Sequence, residues 1–110
     1  MTPVYKIMTG AEWRAALGGG RFEGSAVDLA DGYIHLSTAA QAQETAAKHF
    51  RGQTGLVLVT LDADALSPLK WEPSRGGALF PHLYGPLDVT LALEVRPLDL
   101  GPDGAPDTGL

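Results

Sequence analysis

A chain of 110 residues with 45% hydrophobic content and no cysteine is long enough for one unstapled core, and it excludes disulfides, thiolate metal sites and thiol nucleophiles. Eight basic against thirteen acidic side chains leave a net charge of −5, with the cations scattered rather than striped, which argues against bulk nucleic-acid binding. No apolar run approaches the ~20 residues of a membrane-spanning helix, and Met1-Thr2-Pro3-Val4 does not open a secretory signal, so the expected setting is cytoplasmic, with no membrane partner.

Val4–Met8 alternates and carries β-branched and aromatic residues, as an opening strand does. Thr9 with Glu12 three positions later makes a capping box for a helix over Gly10–Leu17, with Trp13, Ala16 and Leu17 on one face. Gly18-Gly19-Gly20 ends it. Arg21–Asp31 reads as a loop, Tyr33–Ser37 as a short strand, and Ala39–Phe50 as a second helix capped by Ser37 or Thr38. Leu56–Leu61 is a strand buried on both faces, and Asp62–Leu66 a single helical turn. Leu69–Glu72 is a brief strand stopped by Pro73, and Ser74–Gly77 is a loop leading into Leu79–Tyr84. Val89–Arg96 has the best β propensity of the chain. Residues 1–100 are read as a single domain and the Gly-, Pro- and Asp-rich stretch 101–110 as a flexible tail. The order of elements predicts an α+β fold, two helices packed on a twisted, mainly antiparallel sheet.

Two of the three histidines lie in short motifs, Asp31-Gly32-Tyr33-Ile34-His35-Leu36-Ser37 and Phe80-Pro81-His82-Leu83-Tyr84-Gly85-Pro86. Alternation along a strand puts Tyr33, His35 and Ser37 on one face and Ile34 and Leu36 on the other. Imidazole and hydroxyl two residues apart suit a ribose diol; a merely solvated face is the plainer alternative. His82 and Tyr84 share a face between two stiffening prolines and suit stacking on a planar ring, unless they only plug the core. Glu72 offers a carboxylate for a ribose hydroxyl or a developing positive charge, and Arg75 in Ser74–Gly77 could meet a phosphate; the plainer reading of the two is a surface ion pair. The spacing of His35, His49 and His82 gives no metal motif. No Gly-x-Ser-x-Gly elbow accompanies the serines, and Gly18-Gly19-Gly20 is no dinucleotide fingerprint.

Tyr5-Lys6-Ile7, Gly24-Ser25, Asp31–Ser37, Gln41, Thr45, Trp71-Glu72, Arg75-Gly76-Gly77 and Phe80–Leu87 together resemble the bacterial domain of unknown function 952 family, over about Val4 to Leu98. That family is grouped with the ADP-ribosyltransferase-like superfamily. The resemblance therefore implies a split β-sheet around a central cleft that grips NAD. It implies that His35 holds a ribose hydroxyl, that Ser37 helps to orient nicotinamide, and that Tyr84 or His82 stacks on that ring. Glu72 or Glu94 would take the place of the catalytic carboxylate.

The expected site is thus a cleft lined by His35, Ser37, Glu72, Arg75, His82 and Tyr84, with Glu72, His35 and His82 as catalytic candidates and no metal. The first expectation is an ADP-ribosyltransferase-type enzyme acting on NAD or an ADP-ribose-like ligand, with NAD as substrate and no cofactor firmly implied. The alternative is a non-catalytic module that binds a nucleotide or small metabolite in the same cleft. A third reading makes Tyr33 and Tyr84 a contact patch for a partner protein.

Overall fold

The computed structural model describes residues 1–74 and 76–110. The strand-forming alternation of the N-terminus gives β1 (Pro3–Thr9), and the apolar run gives β4 (Leu56–Asp62). They pair antiparallel from Pro3↔Asp62 to Thr9↔Leu56, and β8 (Glu94–Leu98) adds to the other edge of β4. As the central strand, β4 buries Leu56, Leu58, Val59 and Leu61. Thr9 and Glu12 form the predicted reciprocal cap of α1 (Gly10–Gly19), which ends at Gly20 in the left-handed region. Trp13 and Ala16 turn into the core, whereas Leu17 stays exposed.

A second antiparallel sheet has the order β3 (Ile34–His35), β6 (Ala78–Leu83), β5 (Leu69–Ser74). Pro73 does not stop β5. The strand lies at a sheet edge, where a missing N–H costs no ladder bond, and it runs on to Ser74. A two-stranded pair, β2 (Arg21–Phe22) with β7 (Leu87–Asp88), completes the sheets. Ser37 and Tyr5 exchange backbone hydrogen bonds of 2.8 and 2.9 Å and so join the end of the β3 segment to β1. One core cluster includes Val4, Met8, Trp13, Ile34, Leu36 and Leu83, and a second gathers Tyr5, Ile7, Ala46, Leu56, Leu58 and Leu98.

Three further expectations are corrected. The stretch read as a loop holds β2 and a third helix, α2 (Ala26–Asp31), so the described residues contain three α-helices rather than two. Ser25 and Asp28 build a capping box at its start, too close to the next turn to support a long periodic pattern. Val89–Arg96 is not one strand. The Asp88 side chain accepts from Thr90 N and Oγ1, which winds Val89–Leu91 into a 3₁₀ turn and delays β8 to Glu94.

The third correction concerns the C-terminal residues, which lie against α3 (Ala39–His49) instead of fraying. Gln43 donates to Pro106 O and accepts from both Thr108 N and Thr108 Oγ1, and Arg96 donates to Thr108 O. Ala105 and Thr108 are buried. Composition gave no sign of this because the attachment is made by hydrogen bonds rather than by apolar area. Gln43→Ala removes three of these bonds and is expected to cost about 1–3 kcal/mol in a urea titration, the usual effect of leaving buried polar groups unpaired. No change would contradict the docking.

Candidate functional site

The register of β3 on β6 opposes His35 and His82 directly, so the two histidine motifs meet side by side. Their rings lie 5.7 Å apart, edge to face. Tyr33 stacks on His82 at 4.0 Å and stands 4.6 Å from His35 and 5.2 Å from Tyr84. Four aromatic rings thus form one continuous cluster on this sheet, bordered by carboxylates.

Each imidazole rests on its own acid. His82 Nδ1 lies 2.8 Å from Glu72 Oε1, and the Tyr84 hydroxyl donates to the same oxygen at 2.6 Å. These two hydrogen bonds hold the Glu72 carboxyl below the usual carboxylate range. In return the bond to Glu72, assisted by burial, raises the Tyr84 phenol to about 12. Glu72→Gln is expected to bring Tyr84 back toward the ordinary tyrosine value near 10, read as a change in the ultraviolet titration of the tyrosines; an unchanged titration would contradict the bond. His82 itself is only 4% exposed, beneath Tyr33, so it forms the floor of the site.

His35 Nδ1 lies 2.6 Å from Asp28 Oδ1, and its Nε2 lies 2.9 Å from Asp31 Oδ2. Asp28 is 1% exposed. It accepts from Lys6 Nζ, Ser25 N, His35 N and His35 Nδ1, tying β1, α2 and β3 together. Burial pushes its carboxyl upward, but the His35 bond and the Lys6 ammonium outweigh burial and hold it well below its ordinary value. Lys6 is buried as well, and that desolvation, only partly countered by Asp28, lowers its pKa. Glycine is needed where the chain enters α2: a Cβ at Gly24, whose φ is +127°, would stand 2.9 Å from Asp28 Cβ. Gly32, at φ +87°, ends α2, and its N–H and that of Tyr33 both bond Asp28 O. This pair of hydrogen bonds closes the turn from α2 into Tyr33 and β3.

The structure therefore brings together His35, Glu72, His82 and Tyr84 from the expected set. It does not bring Ser37. That side chain is buried and meets Thr45 Oγ1 of α3 at 3.1 Å, because β3 ends at His35 and the alternation that was to align Ser37 ends with it. Arg75 lies outside the described residues. Glu94 is exposed at the start of β8, in the other three-stranded sheet, beside Arg96. Lys6, Asp28, Asp31 and Lys70 were not singled out from the sequence; Lys70 Nζ sits 4.9 Å from the centre of the Tyr84 ring. The Ser25-x-x-Asp28 box was the one sequence signal that could have located Asp28.

A hollow of about 190 Å³ adjoins the rings through Tyr33 and Asp28 and is further lined by Glu23, Leu29, Ile34 and Leu83. It is smaller than the usual volume of a ligand pocket, so at the place of the expected cleft the structure has an open aromatic face beside a small cavity. A wider hollow of about 380 Å³ lies at the end of α1, with Gly20, Arg21 and Asp88. Arg21 there pairs with Glu23, and no imidazole faces it.

The family described as "Protein of unknown function (DUF952)" matches residues 7–95. Two solved structures of protein CC0527 from Caulobacter crescentus are closely similar. The X-ray structure is 61% identical, with a TM-score of 0.95 over 98% of this chain and 96% of that one. The solution NMR structure is 62% identical, with a TM-score of 0.89 over 99% and 95%. No curated protein matches the chain.

Proposed function

The chain belongs to the DUF952 family of proteins of unknown function, and within it we propose that the Tyr33–His35–Glu72–His82–Tyr84 face binds a nucleotide-like small molecule. The observation that carries this reading is the pairing of His35 with His82 across β3 and β6, each imidazole backed by a carboxylate and flanked by a tyrosine. Tyr84 offers a planar surface for a base or nicotinamide ring, and His35, a third exposed, offers a polar edge for a ribose hydroxyl. Lys70 over Tyr84 stands near enough to meet a phosphate.

A second reading, ADP-ribosyl transfer from NAD, draws support from Glu72. The bonds from His82 and Tyr84 keep it ionised at Oε1, and Oε2 has no partner among the described residues. A carboxylate so held would stabilise the oxocarbenium formed when the bond between ribose C1′ and nicotinamide breaks, the electron pair leaving with nicotinamide. Water then adds at C1′ and loses a proton, giving ADP-ribose. Ser37, turned toward α3, would take no part.

The test is a thermal-shift titration of the purified protein with NAD and ADP-ribose. A ligand at 100 times its dissociation constant should add about 2.7 kcal/mol of stability. Binding without nicotinamide release, in both the wild type and Glu72→Gln, identifies a binding module. Release that Glu72→Gln abolishes identifies a transferase or hydrolase. No shift with either compound overturns the proposal.

A further inference from the structure

Lys6 and Asp28 form a charged pair buried to 5% and 1% exposure at the back of His35. Such a pair is weak evidence of stabilisation, since apolar residues of similar size commonly serve a core as well or better. Its placement offers another use. Asp28 is ionised and accepts at both oxygens, so the proton in its 2.6 Å contact with His35 belongs to Nδ1. A neutral imidazole has one donor nitrogen; with the proton on Nδ1, the Nε2 lone pair faces Asp31 Oδ2 at 2.9 Å, an acceptor-to-acceptor contact that the exposed Asp31 side chain relieves by turning away or that a ligand diol relieves by donating to both. Asp28 is buried and held by Lys6, Ser25 N and His35 N, whereas Asp31 is 46% exposed.

We infer that Asp28, backed by Lys6, is a positioning residue that fixes His35 as the Nδ1–H tautomer and commits its outward Nε2 to accept a hydrogen bond from a ligand hydroxyl. This deepens the proposed binding face and rests on it only for the ligand. The group received at His35 is then an uncharged hydroxyl donor, such as a sugar diol, which displaces or bridges to Asp31. An acceptor-only anion such as a phosphate ester finds no donor at Nε2 and a carboxylate beside it, so any phosphate must lie elsewhere, on the Lys70 side.

The experiment is a long-range ¹H–¹⁵N spectrum of the histidine side chains, recorded above the imidazole titration. The wild type is expected to show His35 as the Nδ1–H form. In the paired variant Lys6→Met with Asp28→Leu, which removes both buried charges at once, His35 is expected to change to Nε2–H or to a mixture. His82, held separately by Glu72, should keep its pattern, and ADP-ribose affinity should fall at least tenfold. If the paired variant does not fold, the wild-type spectrum alone decides. A wild-type His35 in the Nε2–H form, or an unchanged His35 pattern in the folded variant, overturns the assignment. A tautomer change in protein that binds neither ADP-ribose nor NAD supports the positioning role and removes the ligand reading alone.

Discussion

Replacing Asp28 alone with alanine is expected to destabilise the protein by about 3–5 kcal/mol, the usual result of stripping one partner from a buried ion pair. Lys6 Nζ has no other hydrogen-bond acceptor among the described residues, so the ammonium would be left in the core. Ser25 N and His35 N would lose their acceptor as well, loosening the start of α2 and the β3 strand together. Marginal domains hold only about 5–15 kcal/mol in all, so the loss should be plain in urea or thermal unfolding; a cost under about 1 kcal/mol would contradict the pair's geometry. The same carboxylate sets a direction with pH. Its folded pKa lies below the unfolded value near 3.9. The contribution is therefore complete above that value and is lost as the pH falls below about 4. A wild-type stability flat from pH 6 to pH 2 would contradict it.

His35→Ala is expected to weaken ADP-ribose binding by about tenfold to a hundredfold, the worth of one hydrogen bond to a polarised group and its shaping of the face. The fold should survive with little change. His35 is a third exposed, and Asp28 keeps Lys6, Ser25 N and the backbone N–H of residue 35 when the ring is gone. The contrast between the two substitutions is the informative part: one removes stability, the other affinity, although the two side chains are 2.6 Å apart. Calorimetric titration with ADP-ribose measures the affinity, and equal affinity in variant and wild type would place the ligand away from His35.

The meeting of the two imidazoles was legible in the chain because both motifs are strand-like and carry their polar residues in alternation. Any antiparallel pairing in the right register sets them together, and the structure supplies it. Ser37 was misplaced by the same rule carried too far. A two-residue strand does not extend its alternation: Leu36 N still bonds Pro81 O of β6, but Ser37 pairs with Tyr5 of β1 instead. Glu72 was legible as a carboxylate in a notable motif, yet its partners, His82 of β6 and Tyr84 just beyond that strand's end, come from a segment that spacing alone does not align. Asp28 and Lys6 lie 22 positions apart, and nothing local marks a buried ion pair. Val89–Arg96 shows propensity losing to a side chain: β-branched residues favour a strand, but Asp88 caps a turn first.

The most direct test of a ligand face built on paired imidazoles is an NMR titration with ADP-ribose of protein labelled at the aromatic rings and the backbone amides. Saturable shifts of the Tyr33, His35 and Tyr84 ring signals, with Gly19, Gly20 and Asp88 at the wider hollow unmoved, are the predicted result. Shifts confined to that hollow, or none at any ring up to millimolar ligand, would contradict the account.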